Sequence, residues 1–324
     1  MAEGEAVAAG MRILFWGTPD FAVPALRALF GEVHDVVAVV TQPDRPAGRG
    51  RAVRASPVKL LAVDEAVPVL QPERARGDDF LAAIRALEPD LSIVVAYGQI
   101  LKREVLDVPR LGSINIHASL LPELRGAAPI NWAIKLGYER TGVTIMRMVE
   151  QMDAGPILHQ VVEPIAEEET ASDLWLRLSE IGAEALIEAL ALLELGELTE
   201  REQDESRATY APRLTRDTAR VDWHDNAVAI GRHIRALDAV PGAWTSHRGE
   251  DLKLFRPLPE PDFAHAADPG TVLHTHGTDE AEGMRVACAT GALLVREVKP
   301  AGRRRMTTAE WVRGRGIREG ERLT

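Results

Sequence analysis

The sequence contains a single cysteine, Cys288, in 324 residues. That excludes a disulfide framework and any all-thiolate zinc site, and it fits a reducing compartment such as the cytoplasm. No apolar run approaches the ~20 residues needed to span a bilayer. The first ten residues, MAEGEAVAAG, carry two acids and no base, which is not the composition of a secretory signal. Residues 1–10 are expected to form a disordered leader. Histidines other than His117 show no HExxH or Cys/His spacing, so no metal is expected. The GTPDF that follows the first strand-like run lacks the GxGxxG glycines that admit a pyrophosphate, which disfavours a nicotinamide dehydrogenase. Internal repeats and low-complexity tracts are absent.

What remains is the balance of an ordinary soluble protein, with 46% hydrophobic and 27% charged residues. At about 150 residues per domain, the length suggests two domains. The net charge of −11 taken alone argues against a nucleic-acid partner. Split by segment, the charge reads differently. Residues 1–209 hold 20 bases and 33 acids, whereas residues 299–324 hold 8 bases and 3 acids. Residues 42–59 hold 5 bases (Arg45, Arg49, Arg51, Arg54, Lys59) and one acid. Two basic islands on an acidic chain are what a local polyanion footprint requires.

The opening RILFWGTPDF predicts a buried strand from Ile13 to Trp16, a glycine turn, and a helix with Thr18 as N-cap and Pro19 in its first position. Phe21, Ala25, Leu26, Leu29 and Phe30 recur at helical spacing. The β-branched run DVVAVVT predicts a strand of a parallel sheet. Further helices are expected near 57–65, 77–87, 129–137 and 172–197. Strands are expected at 67–70, 91–98, 113–117 and 142–149. This alternation implies a doubly wound parallel sheet with right-handed crossovers. After residue 197 the polar QDESRATYAPR reads as a linker over 198–211. One helix near 225–237 is then followed by short runs between Gly and Pro, whose spacing fits a small antiparallel β-barrel over 212–324. Cys288, in one of those runs, is expected to be a core residue.

The densest chemical signal lies between Ser113 and Asp153. In SINIHASLLP, strand alternation puts Ser113, Asn115 and His117 on one face. Two groups able to donate hydrogen bonds thus project together near the carboxyl end of a parallel strand, where open α/β sheets bind ligands. Such a pair equally describes a hydrogen-bonded core Asn and His. The kinked, proline-bounded SLLPELRGAAPI that follows, and the acid supplied by MDAGPI, favour a site.

Taken together, RILFWGTPDFAVPAL, VVTQPDRPAGRG, SPVK, VVAYGQIL, NIHASLLPELRGAAPI, TGVTIMRMVEQMDAGPIL and VKPAGRRRM closely resemble the methionyl-tRNA formyltransferases over residues 11–324. The NIH…SLLP and MDAGPIL motifs are shared more widely among enzymes that use 10-formyltetrahydrofolate. QPDRPAGRG and the carboxyl-terminal half narrow the resemblance to the tRNA enzymes.

The resemblance implies a Rossmann-like formyltransferase domain at residues 11–197 and an OB-like barrel that binds tRNA at 212–324. It implies formyl transfer from 10-formyltetrahydrofolate to initiator methionyl-tRNA, in the cytoplasm, by a monomer without a metal. Asn115, His117 and Asp153 would be catalytic. The Asn115 amide and a protonated His117 would donate to a tetrahedral oxyanion. Asp153 would hold His117 or relay the proton leaving the amine; sequence does not divide those roles. The same resemblance points to Ser119, Leu120, Leu121, Pro122, Tyr97, Gly98, Gln99 and Ile100 as folate-binding. The loop from Gln42 to Pro57 is too long for a crossover turn, and its composition implies mobility and a phosphate footprint. Arg49 matches an arginine that matters for tRNA in the family. Arg45, Arg51, Lys299, Arg303, Arg304 and Arg305 would contact RNA. A formyltransferase or hydrolase acting on a small amine would share the three catalytic residues without needing the arginine loop or the barrel.

Overall fold

The apolar run after Arg12 forms β1 (Arg12–Gly17), buried along all but its first residue, in a computed structural model that describes residues 10–47, 52–276 and 283–324. All but the last residue of the expected leader lie outside the described residues. The chain divides into two compact units. The first runs to Gly126 and takes in Thr141–Pro164 and Trp175–Tyr210; the second comprises Ala127–Arg140, Ile165–Leu174 and everything from Ala211 onward. Composition had suggested contiguous stretches, with 198–211 as a linker.

The expected elements are present, and strands at Arg45–Ala47, Ala52–Arg54 and Ile157–Pro164 and a helix at Arg103–Leu106 add to them. Behind β1 come α1 (Val23–Phe30), β2 (Asp35–Val40), a hairpin of β3 (Arg45–Ala47) and β4 (Ala52–Arg54), α2 (Pro57–Asp64) and β5 (Val69–Leu70). Then come α3 (Asp78–Ala86), β6 (Leu91–Val95), α4 (Arg103–Leu106), β7 (Ser113–His117), α5 (Pro129–Leu136), β8 (Arg140–Arg147), β9 (Ile157–Pro164) and α6 (Ala171–Glu194). The sheet order is β5-β2-β1-β6-β7-β8-β9. Strands β5, β2, β1, β6 and β7 are parallel, but β8 runs antiparallel to β7, with Thr144 opposite His117. The sheet is therefore mixed rather than wholly parallel. A continuous apolar run reads alike in either direction, so its sequence carries no strand sense.

Two local expectations are corrected. Thr18 does not cap a helix: its hydroxyl donates to Tyr97 O at 3.1 Å and accepts from Gln42 N at 3.3 Å. It ties together the carboxyl ends of three neighbouring strands, while a 3-10 turn at Asp20–Ala22 leads into α1, with Pro24 in its first turn. The segment from Gln42 to Pro57, expected as a loop, carries a short hairpin in which β3 and β4 pair. Its base is fixed by Lys59 Nζ, which donates to Asp44 at 2.6 Å and to Gln71 at 2.7 Å. Ser56 caps α2 by accepting from Lys59 N at 3.1 Å, with Pro57 in the first helical position as its fixed φ favours.

In the second unit, α7 (Ala227–Leu237) is capped by Asn226, which accepts from Ala229 N at 2.9 Å. An antiparallel sheet follows: β10 (Trp244–His247), β11 (Glu250–Glu260), β12 (Val272–His276), β13 (Gly283–Ala287), β14 (Ala292–Pro300) and β15 (Met306–Thr307). Its order is β10-β11-β14-β13-β12, with β15 beside β14, and α8 (Thr308–Arg313) starts in a capping box built by Thr307 and Glu310. Residues 320–324 join the two edges. Thr324 exchanges backbone hydrogen bonds with Ser246 of β10, while Leu323 N donates to Gly270 O, and Val272 exchanges bonds with Glu321 and Gly320. That segment closes the sheet into a barrel. The core of the unit, shared by the sheet and α7, holds Trp223, Ile234, Leu254, Val286, Val295 and Cys288, with the Cys288 thiol pushed up to about 12 by burial. No helix among the described residues is long and apolar enough to cross a membrane.

Candidate active site

The site belongs to the first unit and is built on the end of β7. Alternation buries Ile114 and Ile116 on one face and turns Asn115 and His117 to the other. The Asn115 amide is half-buried and, among the described residues, makes no hydrogen bond within the chain. His117 is buried, and its Nε2 lies 3.0 Å from Leu124 O. A carbonyl can only accept, so Nε2 carries the proton. The other ring nitrogen, Nδ1, faces Asp153 Oδ2 at 3.7 Å.

Asp153 stands in the turn between β8 and β9 with φ +55°, a left-handed conformation that a side chain disfavours. The same carboxylate oxygen is held by the backbone: Oδ2 accepts from Gly126 N at 2.7 Å. The ring is thus oriented by the Leu124 carbonyl and the carboxylate by a backbone N–H, and Nδ1 is left as the nitrogen that can exchange a proton. The loop carrying Leu124 and Gly126 is itself pinned. Thr144 Oγ1 donates to Ser119 O at 2.6 Å and accepts from Leu121 N at 3.1 Å and Gln160 Nε2 at 2.9 Å. Leu124 N donates to Thr209 Oγ1 at 2.9 Å, and Arg125 N to Thr209 O at 2.9 Å.

A free amide, an imidazole with one exchangeable nitrogen and a fixed carboxylate form a set able to stabilise charge on a carbonyl oxygen and move a proton beside it. Comparison with known proteins agrees with that chemistry. Residues 11–190 match the formyl transferase family model and residues 213–316 match the model of the formyl transferase C-terminal domain. A methionyl-tRNA formyltransferase of Magnetococcus marinus is 46% identical over 96% of this chain and 98% of its own length. That of Methylococcus capsulatus is 46% identical over 97% and 99%. The chain belongs to the methionyl-tRNA formyltransferase family. Among solved structures, HypX from Aquifex aeolicus in complex with tetrahydrofolic acid shares the fold, with a TM-score of 0.62 at 22% identity over 94% of this chain and 47% of that one. The chain spans about half the length of that HypX.

The remaining residues expected to bind ligands in this family divide sharply. The Ser119 hydroxyl donates to Glu123 O at 2.6 Å, within its own loop. Leu121 and Pro122 are buried, and Leu120 is half-buried. The Tyr97 side chain lies in the core edge-on to Trp16, its centroid 5.2 Å away, and burial pushes its hydroxyl up to about 12. Gln99 accepts from Ala75 N at 3.1 Å and donates to Glu73 O at 3.1 Å. The side chains of Tyr97 and Gln99 therefore build the strand end, while Gly98 and Ile100 stay exposed, Ile100 at 74%.

Of the expected RNA-contacting bases, Arg49 and Arg51 lie outside the described residues. Arg45 is exposed and donates to Gln42 at 3.2 Å. Lys299 and Arg303 are exposed. Arg304 pairs with Glu310 at 2.9 Å. Arg305 is folded inward: it bonds Glu297 at 2.5 Å and Asp238 at 3.0 Å, and stacks 4.1 Å over Phe255. Sequence reasoning missed Thr144, Gln160, Gln203 and Thr209. Thr144 stands among apolar neighbours, and Gln203 and Thr209 sit in a stretch that composition labels as linker.

Proposed function

We propose that this protein transfers the formyl group of 10-formyltetrahydrofolate to the free amine of initiator methionyl-tRNA, giving N-formylmethionyl-tRNA and tetrahydrofolate. The observation that carries this reading is 46% identity over nearly the whole chain to enzymes named for that reaction.

The half-buried, unpartnered Asn115 amide and the exposed apolar Ile100 at the same end of the sheet suit a folate carrying a reactive carbonyl. When bound, the folate supplies an activated formyl carbon attached to a nitrogen leaving group. Asn115 donates to the formyl oxygen as it gains negative charge, a role worth on the order of 10²–10³ in rate for one such donor. Asp153 accepts the proton that the attacking amine loses, directly or through a water, and His117 Nδ1 shares that proton and returns one to the departing nitrogen. The amine adds to the formyl carbon first, and the C–N bond to folate breaks as the resulting tetrahedral adduct collapses, with no covalent enzyme intermediate. The backbone of Gly98–Ile100 and the Ser119–Pro122 loop cradle the pterin, Ile100 and Leu120 covering its flat face.

Arg45, Arg49 and Arg51 of the hairpin, and Lys299, Arg303 and Arg304 of the barrel, contact RNA phosphates; Arg305 supports the barrel from within. The working form is a cytoplasmic monomer, because one chain supplies every group named and charged tRNA is found there. A formylation assay with charged initiator and elongator tRNAs side by side tests the reading. Labelled formyl on the initiator species is the expected result, and label on neither would reject it in favour of a small-amine acceptor.

A further inference from the structure

We infer that Gln203, in the stretch between α6 and α7, is a positioning residue for formyl transfer: its amide locks the backbone on which Asp153 is mounted. The inference rests on the reading of Asp153 and His117 as the transfer site.

Gln203 is buried, and every hydrogen-bonding direction of its amide is used. Nε2 donates to Asp153 O at 2.8 Å and to Gly155 O at 2.7 Å. Oε1 accepts from Arg125 Nε at 3.1 Å and Nη2 at 2.7 Å. The amide orientation follows from its neighbours, because two carbonyls need donors and a guanidinium needs acceptors. Arg125 is fully buried and completes its pairing on Glu205, at 3.0 Å and 2.7 Å. The next residue, Gly126, supplies the N–H that holds the Asp153 carboxylate.

A closed circuit results: Asp153 side chain to Gly126, along the chain to Arg125, through the Gln203 amide, and back to the Asp153 carbonyl. Only a side chain with donors at one end and an acceptor at the other completes it. The circuit also accounts for the left-handed φ at Asp153. A strained residue persists when its surroundings over-determine it, and here both its carbonyl and its carboxylate are fixed. Without the two donors of Gln203, the 153–155 turn is free to relax, and the carboxylate leaves its place opposite His117 Nδ1. A misplacement of about 1 Å in such a group can cost on the order of 10²-fold in rate.

Gln203→Glu is the discriminating variant, since it keeps an acceptor for Arg125 and removes both donors to the turn. Steady-state kinetics should show kcat lower by about 10–100-fold, with KM for folate and methionyl-tRNA within twofold. Unaltered kcat in a folded Gln203→Glu enzyme overturns the inference, and so does a loss confined to KM. A second readout needs no turnover: ¹⁵N spectra of labelled histidine should show the His117 Nδ1 signal moving towards its position in Asp153→Asn. An unmoved signal overturns the inference as well. Should Gln203→Glu fold poorly, Gln203→Met, which drops both halves of the amide, must show the same Nδ1 displacement or the inference falls. If the parent protein proves inactive on methionyl-tRNA, the proposed reaction fails, while the ring spectra still decide the role of Gln203.

Discussion

His117 and His233 sit in different units, and they differ in what faces the ring nitrogen that the backbone leaves open. At His117 a backbone carbonyl engages one nitrogen and a carboxylate faces the other. At His233 the Nε2 atom is buried with no hydrogen-bond partner among the described residues, and burial, aided by the Lys135 cation, pushes its pKa down to about 4. The arginines repeat the contrast. Arg125 is fastened to an amide that reaches the turn carrying Asp153, whereas Arg305 is fastened to Glu297, Asp238 and Phe255 inside the second unit. Burial alone therefore says little about function. What sets His117 apart is the carboxylate facing its second ring nitrogen, a position left without a partner at His233 among the described residues.

Substitution at the two histidines should separate turnover from stability. His117→Ala, Asn115→Ala and Asp153→Ala should each lower kcat on the order of 10²–10³-fold while folate affinity changes little. Near-normal turnover in His117→Ala would erase the contrast. His233 should act on stability instead, in a defined pH window. Its folded pKa lies below the ordinary value of 6.5, so the unfolded chain takes up the proton first. Stability is full above pH 6.5 and falls as pH drops towards 4, by roughly 3 kcal/mol if nothing else titrates. Melting curves of the parent and His233→Leu at pH 7.5 and 5 should differ in slope with pH, with the variant less acid-sensitive and its activity retained.

The arginine contrast predicts smaller effects. Arg305→Ala should destabilise the second unit by about 1–2 kcal/mol, since the pairs it loses are only partly screened from water. It should leave the salt dependence of tRNA binding nearly intact. Lys299→Ala and Arg303→Ala should do the reverse, each reducing the slope of log affinity against log salt by about 1 with little change in melting temperature. Equal salt slopes in all three variants would show that the inward and outward bases of this run are not distinct.

Much of the architecture was legible because it rests on patterns local in sequence. The strand Ser113–His117 and the helix Pro129–Leu136 follow from alternation and from a proline at a helix start. The shared face of Asn115 and His117 was legible on the same ground, and Asp153, which faces His117, entered with the MDAGPI motif. The direction of β8 was not, because apolar runs lack polarity. Nor was the role of Arg305, whose partners Asp238 and Glu297 come from separate parts of the chain and look like ordinary surface acids in isolation. Gln203 shows the same limit: its neighbours in sequence are polar and solvated, and its four bonds all reach residues at least 48 positions away.

The closure of the barrel by residues 320–324 bears on solubility. With that short segment in place, β10 and β12 are both covered. Were it peeled away, each would present a row of unsatisfied backbone donors and acceptors, a ready template for pairing with another molecule. Damage at this seam would then appear first as precipitation from otherwise native solutions, ahead of any weakening of the catalytic chemistry.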